Sequence, residues 1–157
     1  MLRAFLIALL CATTANAGGG PETTLVVVNG RSPVSRRVAN DYVSLRRIPA
    51  GHVLYLDEVP HDGVIPLATF REKIWAPIEA YMKRAGLEGA IDLITYSADF
   101  PYAVDFRKEM GGERPGQMIG GQAALTGVTY LIRQVEAEEP FWELLRGPNP
   151  THTNRSS

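Results

Sequence analysis

Three polar clusters hold the residues that could do chemistry: Asn29-Gly30-Arg31-Ser32, Asp57-Glu58, and Ser97 with Asp99. Each follows an apolar run: Leu25–Val28, Val53–Leu56 and Ile91–Tyr96. Read as parallel strands, the three runs end together at one edge of a sheet. Ligands of open α/β sheets bind at that edge, where neighbouring crossovers diverge. There Asn29, Gly30, Arg31 and Ser32 would open a helix, whose free amides and positive dipole end suit an anion. Arg31 adds charge to the same place. Local signals explain the four residues without a ligand as well. Asn29-Gly30 is a turn, and Ser32 is a helix cap. Both readings stand at this point.

A second chemistry uses carboxylates. Asp57, Asp99 and Asp105, with His61, could hold a hard divalent cation or serve a hydrolase. Ser97 is a further candidate nucleophile, but no G-x-S-x-G elbow surrounds it. The spacing of the acids matches no ligand motif, so no cofactor is expected, although the acids leave room for a divalent cation. Nucleotide binding fails on detail. Asp57 stands where a ribose-binding acid would, but Asn29-Gly30-Arg31-Ser32-Pro33 is neither G-x-G-x-x-G nor a Walker loop. His52, His61 and His152 are scattered and lack motif partners. Trp75, Phe141 and Trp142 read as core or interface residues, with sugar platforms as the alternative.

The elements that must position these residues begin with a strand at Leu25–Val28, apolar throughout as in a sheet buried on both faces. Ser32-Pro33 starts a helix, with Ser32 as cap and Pro33 at the first position. Val34, Val38, Tyr42 and Leu45 give that helix an apolar face. Ile48-Pro49-Ala50-Gly51 ends it. Val53–Leu56 is the second strand, and Pro60-His61-Asp62-Gly63 is a turn. Thr69-Phe70-Arg71-Glu72 fits a capping box. Behind it Phe70, Ile74, Ile78 and Met82 form a helical stripe, which Pro77 should kink or divide. Ala90–Tyr96 is the third strand. Residues 111–121 are glycine-rich and read as a loop or a lid. Residues 122–135 have the pattern of a helix. The expected fold is a three-layer Rossmann-like or flavodoxin-like parallel sheet in 2-1-3 order, with right-handed crossovers. It occupies a single α/β domain over 24–146, before an irregular tail at 147–157.

Composition sets further bounds. Met1-Leu2-Arg3, the apolar run to Ala12 and Ala15-Asn16-Ala17 read as a signal peptide cut after Ala17. A flexible linker, 18–23, follows. This places the chain in the periplasm or outside the cell. Leu10 before Cys11 argues against a lipidated cysteine. Cys11 is the one cysteine of the chain, so cleavage leaves no disulfide, thiolate nucleophile or cysteine metal site. The net charge is −1, without an arginine-rich run, which excludes nucleic acid as a partner held by phosphate neutralisation. No later apolar stretch is long enough for a membrane span.

The segment from Thr24 to Leu56 resembles an uncharacterised family of exported bacterial proteins, found in genomes with the exosortase/PEP-CTERM sorting system. The resemblance rests on Val26-Val27-Val28-Asn29-Gly30-Arg31-Ser32-Pro33 and on Arg46-Arg47-Ile48-Pro49, followed by the second strand. Phe70–Ile78, Ile91–Val104 and Ala124–Tyr130 resemble later parts of that family. It implies an accessory protein of the cell envelope or of the linked export system. Other envelope proteins or polysaccharide are the partners it suggests. No catalytic residue carries over from it. Members of the family are longer, so the chain is expected to be a truncated one. The alternatives are an extracytoplasmic hydrolase with strand-end carboxylates, or an inactive relative of caspase- or gingipain-like peptidases. Those peptidases need a histidine after one strand and a cysteine after the next, where this chain has Ser97-Ala98-Asp99.

Overall fold

The computed structural model describes residues 19–108 and 121–136. The signal-peptide reading, most of the glycine-rich segment and the tail at 147–157 lie outside the described residues. Among the described residues, no helix is long and apolar enough to cross a membrane.

The described residues fold as a mixed α/β protein with two small sheets. The first contains β1 (Thr24–Asn29), β2 (Val53–Leu56) and, later in the chain, β4 (Leu93–Tyr96), all parallel in the order β2-β1-β4. That is the expected 2-1-3 order. β1 is buried along its whole length, as its unbroken apolar run requires. Its side chains alternate. Val26 and Val28 pack under α1 (Pro33–Arg46), while Leu25 and Val27 face the main core.

The second sheet was not expected. It comprises β3 (Val64–Pro66), β5 (Ala103–Asp105) and β6 (Gln122–Ala124), in the order β3-β5-β6. β3 and β5 run parallel, and β6 is antiparallel to β5. Gln122–Ala124 is therefore strand, and the helix α4 starts only at Leu125 and runs to Glu136. The single parallel sheet anticipated from the sequence is thus corrected to one parallel and one mixed sheet. They share a core: Leu25, Val27, Leu54 and Leu56 of the first sheet join Ile65 and Val104 of the second. The same core contains Phe70, Ile74, Ile78 and Met82, the stripe the sequence predicts.

That stripe lies on a helical run in three parts: α2 (Leu67–Phe70), a π-helical turn (Arg71–Trp75) and α3 (Ala76–Ala85). Pro77 explains the interruption. It has no N–H for the helical ladder, and its ring crowds the preceding turn. The wider turn absorbs this, with the Ala76 N–H reaching back to the Arg71 carbonyl. The capping box at Thr69 does not form. The helix is already running from Leu67, and Pro66 precedes it without a side-chain cap. At the other end, Gly86 at φ 67° lets the Leu87 N–H close on Met82 O at 2.8 Å.

The face of α1 differs from the expectation. Ser35 and Ala39 are buried, while Val34, Val38 and Leu45 are exposed, Leu45 to 83%. The rotation follows from hydrogen bonds. The Asn29 N–H donates to Ser35 Oγ at 3.0 Å, and Ser97 Oγ donates to the Ser35 carbonyl at 2.6 Å. Both require Ser35 to face the sheet. Small side chains at 35 and 39 then let the helix lie close to Val26 and Val28.

Tyr96 stacks at a tilt on Phe100, with ring centroids 5.0 Å apart. The Thr129 hydroxyl spends its hydrogen on the Leu125 carbonyl at 2.8 Å, so Tyr96 donates to Thr129 Oγ1 at 2.7 Å. Burial pushes the Tyr96 phenol up to about 12. Because its folded value is raised, its contribution to stability is complete below the free phenol's value of about 10. It is lost as pH rises towards about 12. In an alkaline ultraviolet titration, the phenolate signal that Tyr96→Phe removes should appear about two pH units above that of a free tyrosine. A signal at the free value would place the hydroxyl in water.

Candidate functional site

The C-terminal ends of β1 and β4 are tied together by side chains that the sequence singles out. Ser32 caps α1, its oxygen accepting the Ser35 N–H at 3.0 Å. Its hydrogen goes across to the Asp99 carboxylate. Asn29 is only 3% exposed and uses both ends of its side-chain amide. Its Nδ2 donates to the Asp99 carbonyl at 2.8 Å, and its Oδ1 accepts the Arg31 N–H at 3.2 Å. Asp99 itself sits in the left-handed region at φ 59°. That conformation is uncommon outside glycine, though aspartate and asparagine tolerate it. The two loops therefore hold Asp99 at a fixed place above the end of the sheet.

Beside this knot lies a crevice of about 470 Å³. Asn29, Arg31, Ser32 and Pro33 form one wall, Pro60–Gly63 another, and Asp99 with Phe100 the third. Of the expected anion-binding residues, Asn29, Arg31 and Ser32 line it and Gly30 does not. Gly30 is held by β2, its N–H donating to the Leu56 carbonyl at 2.8 Å. A Cβ there would come within 2.6 Å of Asp57 Oδ1, so Gly30 makes room for that carboxylate. Asp57 thus stands over Gly30 and outside the crevice lining. Ser97 is also outside it, its hydroxyl committed to the Ser35 carbonyl. Of the three catalytic candidates, only Asp99 faces the crevice.

Asp105 is bound up elsewhere. Hydrogen bonds from the Arg107 side chain, and from its backbone N–H at 3.0 Å, hold its carboxyl down at about 2. Glu58 next to Asp57 pairs with Lys73 at 2.9 Å on the surface. Among the described residues, no three His, Cys, Asp or Glu side chains converge as metal ligands.

Two crevice residues, Asp62 and Phe100, are new as site residues. Asp62 lies in the turn after β2, and the strand-end rule would have collected it had the loop been followed to Gly63. At that glycine a Cβ would meet Tyr102 Cε1 at 2.5 Å. The Tyr102 ring, 70% exposed, therefore stands against Gly63.

The arrangement offers donors and acceptors of both signs. Arg31 supplies a guanidinium, Asp62 and Asp99 supply carboxylates, and His61 supplies an imidazole. Ser32 uses its hydrogen on Asp99 and its oxygen on the helix amide, which is the work of a cap. No protein-family model, no curated protein and no solved structure matches the chain.

Proposed function

We propose that the chain is an exported accessory protein of the cell envelope that binds a saccharide in the strand-end crevice. In this reading its Rossmann-like first sheet is a scaffold, and the bound sugar is held without being transformed. The observation that carries it is the crevice lining: one guanidinium, two carboxylates and an imidazole around 470 Å³, with the Phe100 ring in the wall. Neutral hydroxyl groups need donors and acceptors together, and Arg31, Asp62 and Asp99 supply both. An anion would meet Asp62 and Asp99 and be repelled. Phe100 and Tyr102 give an apolar surface for the C–H face of a sugar ring. Residues 1–17 support export, and the resemblance at Val26–Pro33 supports a place in the envelope.

The hydrolase reading has less support, because Asp57 stands apart from Asp99, outside the crevice lining. Calorimetric titration with glucose, galactose, mannose and N-acetylglucosamine tests the proposal. Saturable binding of at least one, with Kd near about 1 mM, is expected. Arg31→Ala and Asp62→Ala, both loop-surface changes, should each weaken it about tenfold, the loss of one charged hydrogen bond. Absence of saturable binding, or binding indifferent to both substitutions, would refute it.

A further inference from the structure

β4 is an edge strand among the described residues, paired only with β1. The Ser97 N–H bonds to the Val27 carbonyl at 2.9 Å, on the β1 side. Backbone groups alternate along a strand, so Leu93 and Thr95 face β1 as well, and Ile94 and Tyr96 turn their N–H and C=O outward. No charged side chain or proline guards this stretch of edge, Leu93–Tyr96.

A groove of about 570 Å³ runs along the same strand, between α3 and α4. Trp75, Met82 and Leu87 form one side, and Thr129 and Tyr130 form the other. Trp75 is 5% exposed, and its indole N–H, buried at this wall, has no acceptor among the described residues. A native buried donor without a partner is unusual. At the start of β4 the rim carries Glu88 and Asp92, which enter no ion pair among the described residues. The described lining contains no lysine, arginine or histidine.

We infer that this groove takes an extended segment of a partner polypeptide, which adds to the first sheet as a parallel strand beside β4. The outward N–H and C=O of Ile94 and Tyr96 would pair with its backbone. Every second side chain would enter the apolar groove, and a basic residue at its start would meet Glu88 and Asp92. The charge pattern argues against a second copy as the occupant, since a copy brings to these acids a groove without a cation. The site is separate from the saccharide crevice, and its failure would leave that reading untouched.

The test uses the full chain, isotope-labelled, and the acetylated, amidated octapeptide Lys-Val-Thr-Val-Thr-Val-Thr-Gly. Saturable binding is expected, with amide exchange at Ile94 and Tyr96 slowed at least about tenfold. A peptide N-methylated at the residues facing β4 keeps every side chain and should bind about tenfold more weakly or worse. Glu88→Gln with Asp92→Asn should weaken binding and flatten its salt dependence. Three results would overturn the inference: no binding, equal binding of the methylated peptide, or amides at Ile94 and Tyr96 already protected in the free chain. The last would mean that a second copy, or another part of this chain, occupies the edge.

Discussion

Phe70→Ala should lower stability by about 3–5 kcal/mol, the usual cost of removing a fully buried aromatic ring. Phe70 is completely buried. It ends α2, where the helical run widens into its π turn. It shares one buried cluster with residues of both sheets, Leu25 and Val27 from one and Ile65 and Val104 from the other. A cavity there would loosen both sheets at once, so the loss should be cooperative. Total stabilities of small domains are about 5–15 kcal/mol, which makes this a large fraction. In urea the unfolding midpoint should fall with the slope unchanged. Phe70→Leu, which refills most of the space, should cost less than about 1.5 kcal/mol. A loss under about 1 kcal/mol for the alanine variant would mean that the sheets do not share one core.

Asn29→Asp should be the second most damaging change, at about 2–4 kcal/mol near neutral pH. The shapes of the two side chains are almost the same, so packing is preserved. What changes is one donor. Asn29 Nδ2 now donates to the Asp99 carbonyl at 2.8 Å. A carboxylate oxygen there would face that carbonyl oxygen, in a position only 3% exposed. The new acid's folded pKa would lie above its unfolded value of about 3.9. Its charge therefore destabilises at pH values above the folded pKa, and the penalty eases as pH falls through it. Urea unfolding should show the largest deficit near pH 7, shrinking towards pH 4. A deficit that does not change with pH would mean that the side chain swings out to water, and that Asn29 does not hold the Asp99 loop.

The parts legible in the sequence are those fixed by neighbours in the chain. The strand at Leu25–Val28 is apolar without a break, and it is buried on both faces. Ser32-Pro33 caps a helix by residues within one turn, and the cap forms as read. The stripe from Phe70 to Met82 repeats every four residues and lies in the core. The illegible parts depend on distant partners. In α1, Val34 and Val38 share the spacing of Ser35 and Ala39, so periodicity offers two faces. The Asn29–Ser35 and Ser97–Ser35 bonds select the less apolar one. The second sheet is built from strands of three residues, too short to display alternation. One of them ends in Pro66, a residue that argues against a strand.

The crevice was half legible for the same reason. The strand-end rule gathers Asn29, Arg31, Ser32 and Asp99, and the fold brings them together. It gathers Asp57 equally well, but that carboxylate points over Gly30. Side-chain direction at a strand end depends on how the next loop leaves, which no local pattern encodes. Pro60–Gly63 reaches the crevice because the loop after β2 must travel to β3 in the second sheet, and that sheet could not be anticipated.

The most direct measurement is a nuclear magnetic resonance titration of the isotope-labelled chain with each saccharide of the panel. The amides of Arg31, His61, Asp62, Gly63 and Phe100 should shift together along one saturating curve, while those of Leu93 and Ile132 stay still. Shifts absent from these residues, or spread over the molecule without saturation, would contradict a saccharide site at the strand ends.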